Sequence, residues 1–191
     1  HKLFKGLGAE APTVDVVDIT QDSRTAVPHG LFIACRGTRQ HGLDFVGDAL
    51  RAGVDAVAWE PGDSLRAPAL PASVASVPVP RLREQLGEVA NRFFARPSAA
   101  LQVTGITGTN GKTSVTQLVA QALDILGQRC GLIGTLGTGF YGELQSGRLT
   151  TPDPIAVQST LYDLKKGGAK AVAMEVSSHA LDQGRVAALE F

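Results

Sequence analysis

At 191 residues the chain is long enough for one large domain or two small ones. Its 43% hydrophobic and 19% charged content belongs to a soluble globular protein, and no apolar run approaches the ~18 residues of a membrane span. A formal net charge of zero argues against a nucleic-acid binder held by a basic surface, so any anion site must be local.

Cys35 and Cys130 lie far apart in sequence without metal-ligand spacing, which predicts buried free thiols and a reducing, cytoplasmic compartment. The single methionine is Met174, so the chain is not expected to begin at its own start codon.

In chain order, residues 13–20 are β-branched in a strand-like rhythm, and Asp22-Ser23-Arg24 follows in a polar turn. Leu31 to Cys35 reads as a buried strand, and Gly37 to Gly42 as a polar, glycine-bounded loop. Leu43, Val46, Ala49 and Leu50 step at helical spacing, Gly53 stops that helix, and Asp55 to Trp59 is the next strand. Residues 61–80 are mostly loop, with room for one short strand. A helix is expected from about Leu82 to Phe94, and the Pro97-Ser98 break after it predicts a domain boundary, giving domains 1–98 and 99–191.

Beyond that boundary an apolar strand near Leu101 to Thr104 leads into Gly105-Ile-Thr-Gly-Thr-Asn-Gly-Lys-Thr113 and then a helix. Small residues let the backbone close round an anion with its amides pointing inward, and the helix N-terminus adds partial positive charge. Lys112 is placed to neutralise β/γ-phosphates and Thr113 to offer a hydroxyl to Mg²⁺. The strict spacing wants a glycine where Ile106 stands, but the strand, glycine turn, Lys-Thr and helix are all in order. In that helix Val115, Leu118, Val119, Ala122, Leu123 and Leu126 form the expected core face, with Gly127 as its cap.

Cys130 to Gly139 reads as glycine-interrupted strand, continuing as a hairpin toward Leu149, and the repeated glycines suggest close backbone approach. Thr150-Thr-Pro-Asp-Pro154 is a strong helix start, and Gly167-Gly168 a stop. Ala169 to Met174 is an apolar strand fit for a parallel sheet covered on both faces. Ligands collect at the carboxyl ends of such strands, so Glu175 is expected on the same edge as the phosphate loop, holding Mg²⁺. Ser177 and His179 begin the next helix.

With these stretches in view, the chain resembles the Mur ligase family, the ATP-dependent enzymes that build the peptide stem of peptidoglycan. The residues that carry the resemblance are Asp22-Ser-Arg24, Thr107 to Thr113, Thr150-Thr-Pro152 and the run Met174 to Arg185. It covers nearly the whole chain. The last run is specific to the branch that adds the third stem residue, whereas the phosphate loop is shared with folylpolyglutamate synthase. Leu149 stands where some relatives have asparagine.

The resemblance implies an α/β fold: a small N-terminal UDP-binding domain, then the first part of a mostly parallel, phosphate-loop ATP-binding domain. It implies ATP contacts at Gly108, Thr109, Asn110, Gly111, Lys112, Thr113 and Ser114, with Lys112 and Glu175 catalytic and Thr113 and Glu175 holding Mg²⁺. Ser23, Thr38, Arg39 and Gln40 would meet the UDP part of the substrate. Thr150, Thr151, Ser177, Gln183 and Arg185 would meet its muramoyl-dipeptide, UDP-N-acetylmuramoyl-L-Ala-D-Glu. The incoming partner would be a diamino acid, diaminopimelate before lysine.

The family also uses a later Asp-His stretch, a carbamoylated lysine and an amino-acid-binding domain, none of which precedes Phe191. This chain alone is therefore expected not to turn over, and its last strand is expected to be an exposed sheet edge. A folylpolyglutamate synthase-like ligase and a non-catalytic nucleotide-binding module are the alternatives. The first hundred residues, which a folate enzyme would lack, favour the Mur ligase.

Overall fold

A computed structural model of the chain describes every residue except His1, Ala11, Thr38, Arg39, residues 63–65 and Arg148. Two compact units divide it, His1–Val89 and Ala90–Phe191.

The first unit is built on four parallel strands in sequential order: β1 (Ile19–Thr20), β2 (Leu31–Ala34), β3 (Ala56–Trp59) and β4 (Ala75–Pro78). Every residue of β2 and β3 is buried, which is what interior parallel strands with both faces covered require. One face packs Phe32, Ala34, Val57 and Trp59 with Ala49 of helix α1 (Val46–Arg51) and with Val54. The indole N–H of Trp59 would be costly to bury alone, and it donates to Ser76 Oγ at 3.1 Å.

The strand expected over residues 13–20 shrinks to Ile19–Thr20. The apolar alternation in that stretch is real, but Val14 and Val16 line a small hollow with Leu31, Ala56, Ala75 and Val77 on the sheet face. The segment joins the sheet edge only from Val17, whose N–H donates to His29 O at 3.0 Å. Cys35, at the end of β2, is a free thiol, and burial followed by the nearby Glu60 charge pushes its pKa from 9.0 to about 12. It is a small apolar core residue and not a nucleophile.

Helix α2 (Leu82–Phe93) buries Leu82, Leu86, Val89 and Ala90 along one stripe, and the division between the units falls within it.

The second unit holds a five-stranded sheet in the order β5 (Gln102–Ile106), β9 (Ala171–Glu175), β6 (Cys130–Gly134), β7 (Gly137–Phe140), β8 (Glu143–Gln145). The first three are parallel and the last two complete an antiparallel meander. Strand β9 is the last strand of the chain, yet it lies between β5 and β6. The expectation that it forms an exposed edge is therefore corrected: β5 and β8 are the edges. A parallel crossover through helix α4 (Pro154–Lys166) has to return beside a strand already laid down, and it does so inside the sheet.

Side chains of β9 alternate between two layers, as a strand's period of two dictates. Val172 and Met174 pack with Val157, Leu161 and Leu164 of α4, while Ala171 and Ala173 face Ala120 of helix α3 (Lys112–Ile125). The face expected for α3 is also corrected. Leu118 is 64% and Leu126 74% exposed, and the buried positions are Thr116 and Ala120, flanked by half-buried Val119 and Leu123. Apolar residues surround most of this helix, so their spacing alone does not choose a face. Small side chains at 116 and 120 let it lie close on β6 and β9.

Candidate functional site

The parallel register brings three strand ends together. Ile106 of β5 is opposite Glu175 of β9, and Ile133 of β6 is opposite Met174, so β6 ends at Gly134 and Thr135 follows beside Glu175. From the end of β5 the chain turns through residues 107–111 into α3, whose N-cap Gly111 has φ +79°, a left-handed conformation that glycine adopts without strain. Thr109, Asn110, Gly111, Lys112, Thr113 and Ser114 line a cleft of about 250 Å³, closed opposite by Thr135, Thr150 and Glu175.

Glu175 is only 2% exposed, and a buried carboxylate needs donors. Thr113 Oγ1 donates to its Oε2 at 3.0 Å, Thr135 Oγ1 to the same oxygen at 3.2 Å, and the Thr135 N–H to Oε1 at 2.8 Å. Lys112 Nζ donates to Gly108 O at 2.7 Å across its own loop, so the ammonium is already held over the cleft. Gly108, with φ +143°, is the loop position that carries this acceptor.

The residues expected at the dipeptide form a connected frame behind the carboxylate. Thr151, buried to 1% exposure, donates from its hydroxyl to Glu175 O at 2.8 Å and accepts from the Ser177 N–H at 3.1 Å. Arg185 Nη1 donates to Thr151 O at 2.8 Å, and its Nε and Nη2 donate to Gln183 Oε1 at 3.0 and 2.7 Å. Ser177 caps helix α5 (Ser178–Asp182) by accepting from the Ala180 N–H. Thr150 faces Thr135, oxygen to oxygen, at 3.0 Å. His179 is exposed on α5.

In the first unit, Ser23 opens a one-turn 3-10 helix capped by Asp22, which also grips Arg24 Nε and Nη2. Gln40 is exposed, and its carbonyl accepts from the Gly37 N–H at 2.9 Å. Thr38 and Arg39 lie outside the described residues.

Sequence reasoning did not single out Thr135. Its signal was the run of glycines around it: a Cβ on Gly134 would overlap the Glu175 carboxylate.

The donor set suits a hard divalent cation. Three protein donors occupy three of the carboxylate's four lone-pair sites, leaving one, and the Thr113 oxygen keeps its own lone pairs while its proton goes to Glu175. No cluster of three or more His, Cys, Asp or Glu side chains occurs among the described residues. Mg²⁺ fits one hydroxyl and one carboxylate, with its remaining positions filled by water and phosphate oxygens.

Residues 15–94 match the model of the Mur ligase family catalytic domain, and residues 106–191 that of the Mur ligase middle domain. The chain belongs to the Mur ligase family. Among curated relatives, the UDP-N-acetylmuramoyl-L-alanyl-D-glutamate--2,6-diaminopimelate ligase of Pseudomonas putida is 66% identical over 175 residues, 91% of this chain and 35% of the relative. The solved structure of a ligase with the same name superposes with a TM-score of 0.73 at 31% identity, covering 90% of this chain and 34% of the other.

A MurF ligase from Thermotoga maritima, solved in complex with ADP, shares the fold with a TM-score of 0.55 at 22% identity, over 84% of this chain and 32% of its own. This Mur ligase chain thus spans about a third of the length of the relatives it matches. Among the described residues no helix is long and apolar enough to cross a membrane.

Proposed function

We propose that the second unit binds ATP with Mg²⁺, as part of a ligase that joins 2,6-diaminopimelate to UDP-N-acetylmuramoyl-L-alanyl-D-glutamate. The observation that carries this reading is the meeting of Thr113 and Glu175 at 3.0 Å in the cleft lined by the Lys112 loop. Relatives bearing that enzyme's name support the choice of substrates. Ser23, Thr38, Arg39 and Gln40 are assigned to the UDP part, and Thr150, Thr151, Ser177, Gln183 and Arg185 to the muramoyl-dipeptide.

In the reaction the D-glutamate carboxylate attacks the γ-phosphorus of ATP, ADP departs, and an acyl phosphate forms. The amine of the diamino acid then attacks the acyl carbon, loses a proton, and inorganic phosphate leaves from the tetrahedral intermediate. Little covalent chemistry falls to the protein in the first step, which is positioning and charge stabilisation. Lys112 exchanges the Gly108 carbonyl for phosphate oxygens, and the loop amides at the start of α3 receive the rest of the charge. Thr113 and Glu175 would hold Mg²⁺, which would supply charge neutralisation at the triphosphate, and Glu175 is itself held by Thr135.

Of the frame behind Glu175, Arg185 keeps the 151 segment in place through the Thr151 carbonyl, and a substrate carboxylate near it would be oriented without the arginine having to move far.

Isothermal titration calorimetry of the chain with ATP, in Mg²⁺ and then in EDTA, tests the reading. Saturable ATP binding that strengthens with Mg²⁺ is expected, together with separate binding of UDP-N-acetylmuramoyl-dipeptide. Absence of ATP binding in both conditions overturns it.

A further inference from the structure

The geometry points to Thr135 as a positioning residue that aims the Glu175 carboxylate and ties it to Thr150, with Gly134 leaving the space that makes the contact possible. The inference rests on the ATP and Mg²⁺ reading of the cleft.

Thr135 holds both oxygens of the carboxylate, one through its backbone N–H at 2.8 Å and the other through its hydroxyl at 3.2 Å. Two bonds from one residue fix the rotation of the carboxylate plane, which a single bond would leave free. The third donor, Thr113, stands in the first turn of α3, next to the loop assigned to the phosphates, so Thr135 is the anchor on the sheet side.

The hydroxyl has one proton, and an ionised carboxylate can only accept. The hydroxyl is placed to donate to Glu175 Oε2 at 3.2 Å and to Thr150 Oγ1 at 3.0 Å, and the charged carboxylate is the stronger acceptor of its one proton. The Thr135 hydroxyl therefore stands between Thr150, on the side assigned to the muramoyl-dipeptide, and Glu175, on the side assigned to the metal.

Gly134 completes the arrangement. A Cβ there would overlap Glu175 Oε1 and stand 2.9 Å from its Cδ, and the neighbour it would strike is the buried functional carboxylate itself. Outer partners of metal ligands set ligand orientation, and their loss costs about 10–100-fold in metal affinity.

The test measures the Kd of ATP by calorimetry in Mg²⁺ and in EDTA, the ratio of the two being the metal-dependent gain. Thr135→Val removes the hydroxyl and keeps the shape; its gain is expected to fall about tenfold while the affinity in EDTA stays at the wild-type value. Thr135→Ser restores the hydroxyl and with it the gain, and Gly134→Ala loses the gain although Thr135 is intact. A purely structural role would lower both affinities together and would not be rescued by serine.

Circular dichroism melting identifies folded variants, and Thr135→Ala, which adds no branched bulk, replaces Thr135→Val if that protein does not fold. Full gain in the folded variant lacking the hydroxyl overturns the inference. A wild-type chain that binds ATP with no gain from Mg²⁺ instead refutes the metal reading on which it rests.

Discussion

Lys112→Met is expected to weaken MgATP binding about 10–100-fold while leaving the unfolding temperature of the chain unchanged. Among the described residues the ammonium makes one hydrogen bond, to the Gly108 carbonyl, and its residue is half-buried, so the folded state loses little when the charge is removed. A bound triphosphate loses far more. A hydrogen bond to a charged group contributes about 1.5–3 kcal/mol, and each 1.4 kcal/mol is roughly a factor of ten in affinity. Methionine keeps the length and apolar stem of the side chain, which confines the change to the charge. Calorimetry alongside thermal unfolding separates the two effects, and equal affinity in the variant would remove Lys112 from the phosphate site.

Leu161→Ala is expected to cost the second unit about 2–5 kcal/mol. Leu161 is fully buried on α4, in the cluster that includes Val172 and Met174 of β9 and Ile133 of β6. Truncation leaves a cavity under the strand that carries Glu175, so stability and site geometry are linked through this contact. Native-state hydrogen exchange reads the loss directly: the slow amides of β6 and β9 should lose that much protection, whereas those of β2 and β3 in the first unit should keep theirs. Unchanged protection at β9 would mean that α4 does not support the strand.

Local chemistry makes several of these elements legible in the sequence itself. Asp153 caps α4 by accepting from the Ile155 and Ala156 N–H groups, and Pro154 occupies the first helical position, both readable from five consecutive residues. The apolar run Ala169 to Met174 announces a buried strand, and Glu175 at its end faces the phosphate-loop threonine as expected.

What could not be read was non-local. Strand order decides that β9 sits between β5 and β6, and no local pattern encodes which neighbour a parallel strand joins. Helix α3 carries leucine, valine and isoleucine around most of its surface, so only the approach of Ala171 and Ala173 reveals that Thr116 and Ala120 form its inner face. Residues 14 and 16 alternate like a strand while lying over a sheet, because burial on one side produces the same period in either arrangement. Thr135 became visible only through the register that sets the end of β6 beside Glu175.

The triphosphate and its metal are placed between the Lys112 loop and Glu175, and the rest of the functional reading depends on that placement. Paramagnetic broadening of amide resonances by ATP carrying Mn²⁺ in place of Mg²⁺ tests it most directly. The expected result is broadening centred on Thr113, Thr135 and Glu175, fading along β9 toward Ala171. Broadening centred elsewhere on the chain, with those three residues unaffected, would contradict it.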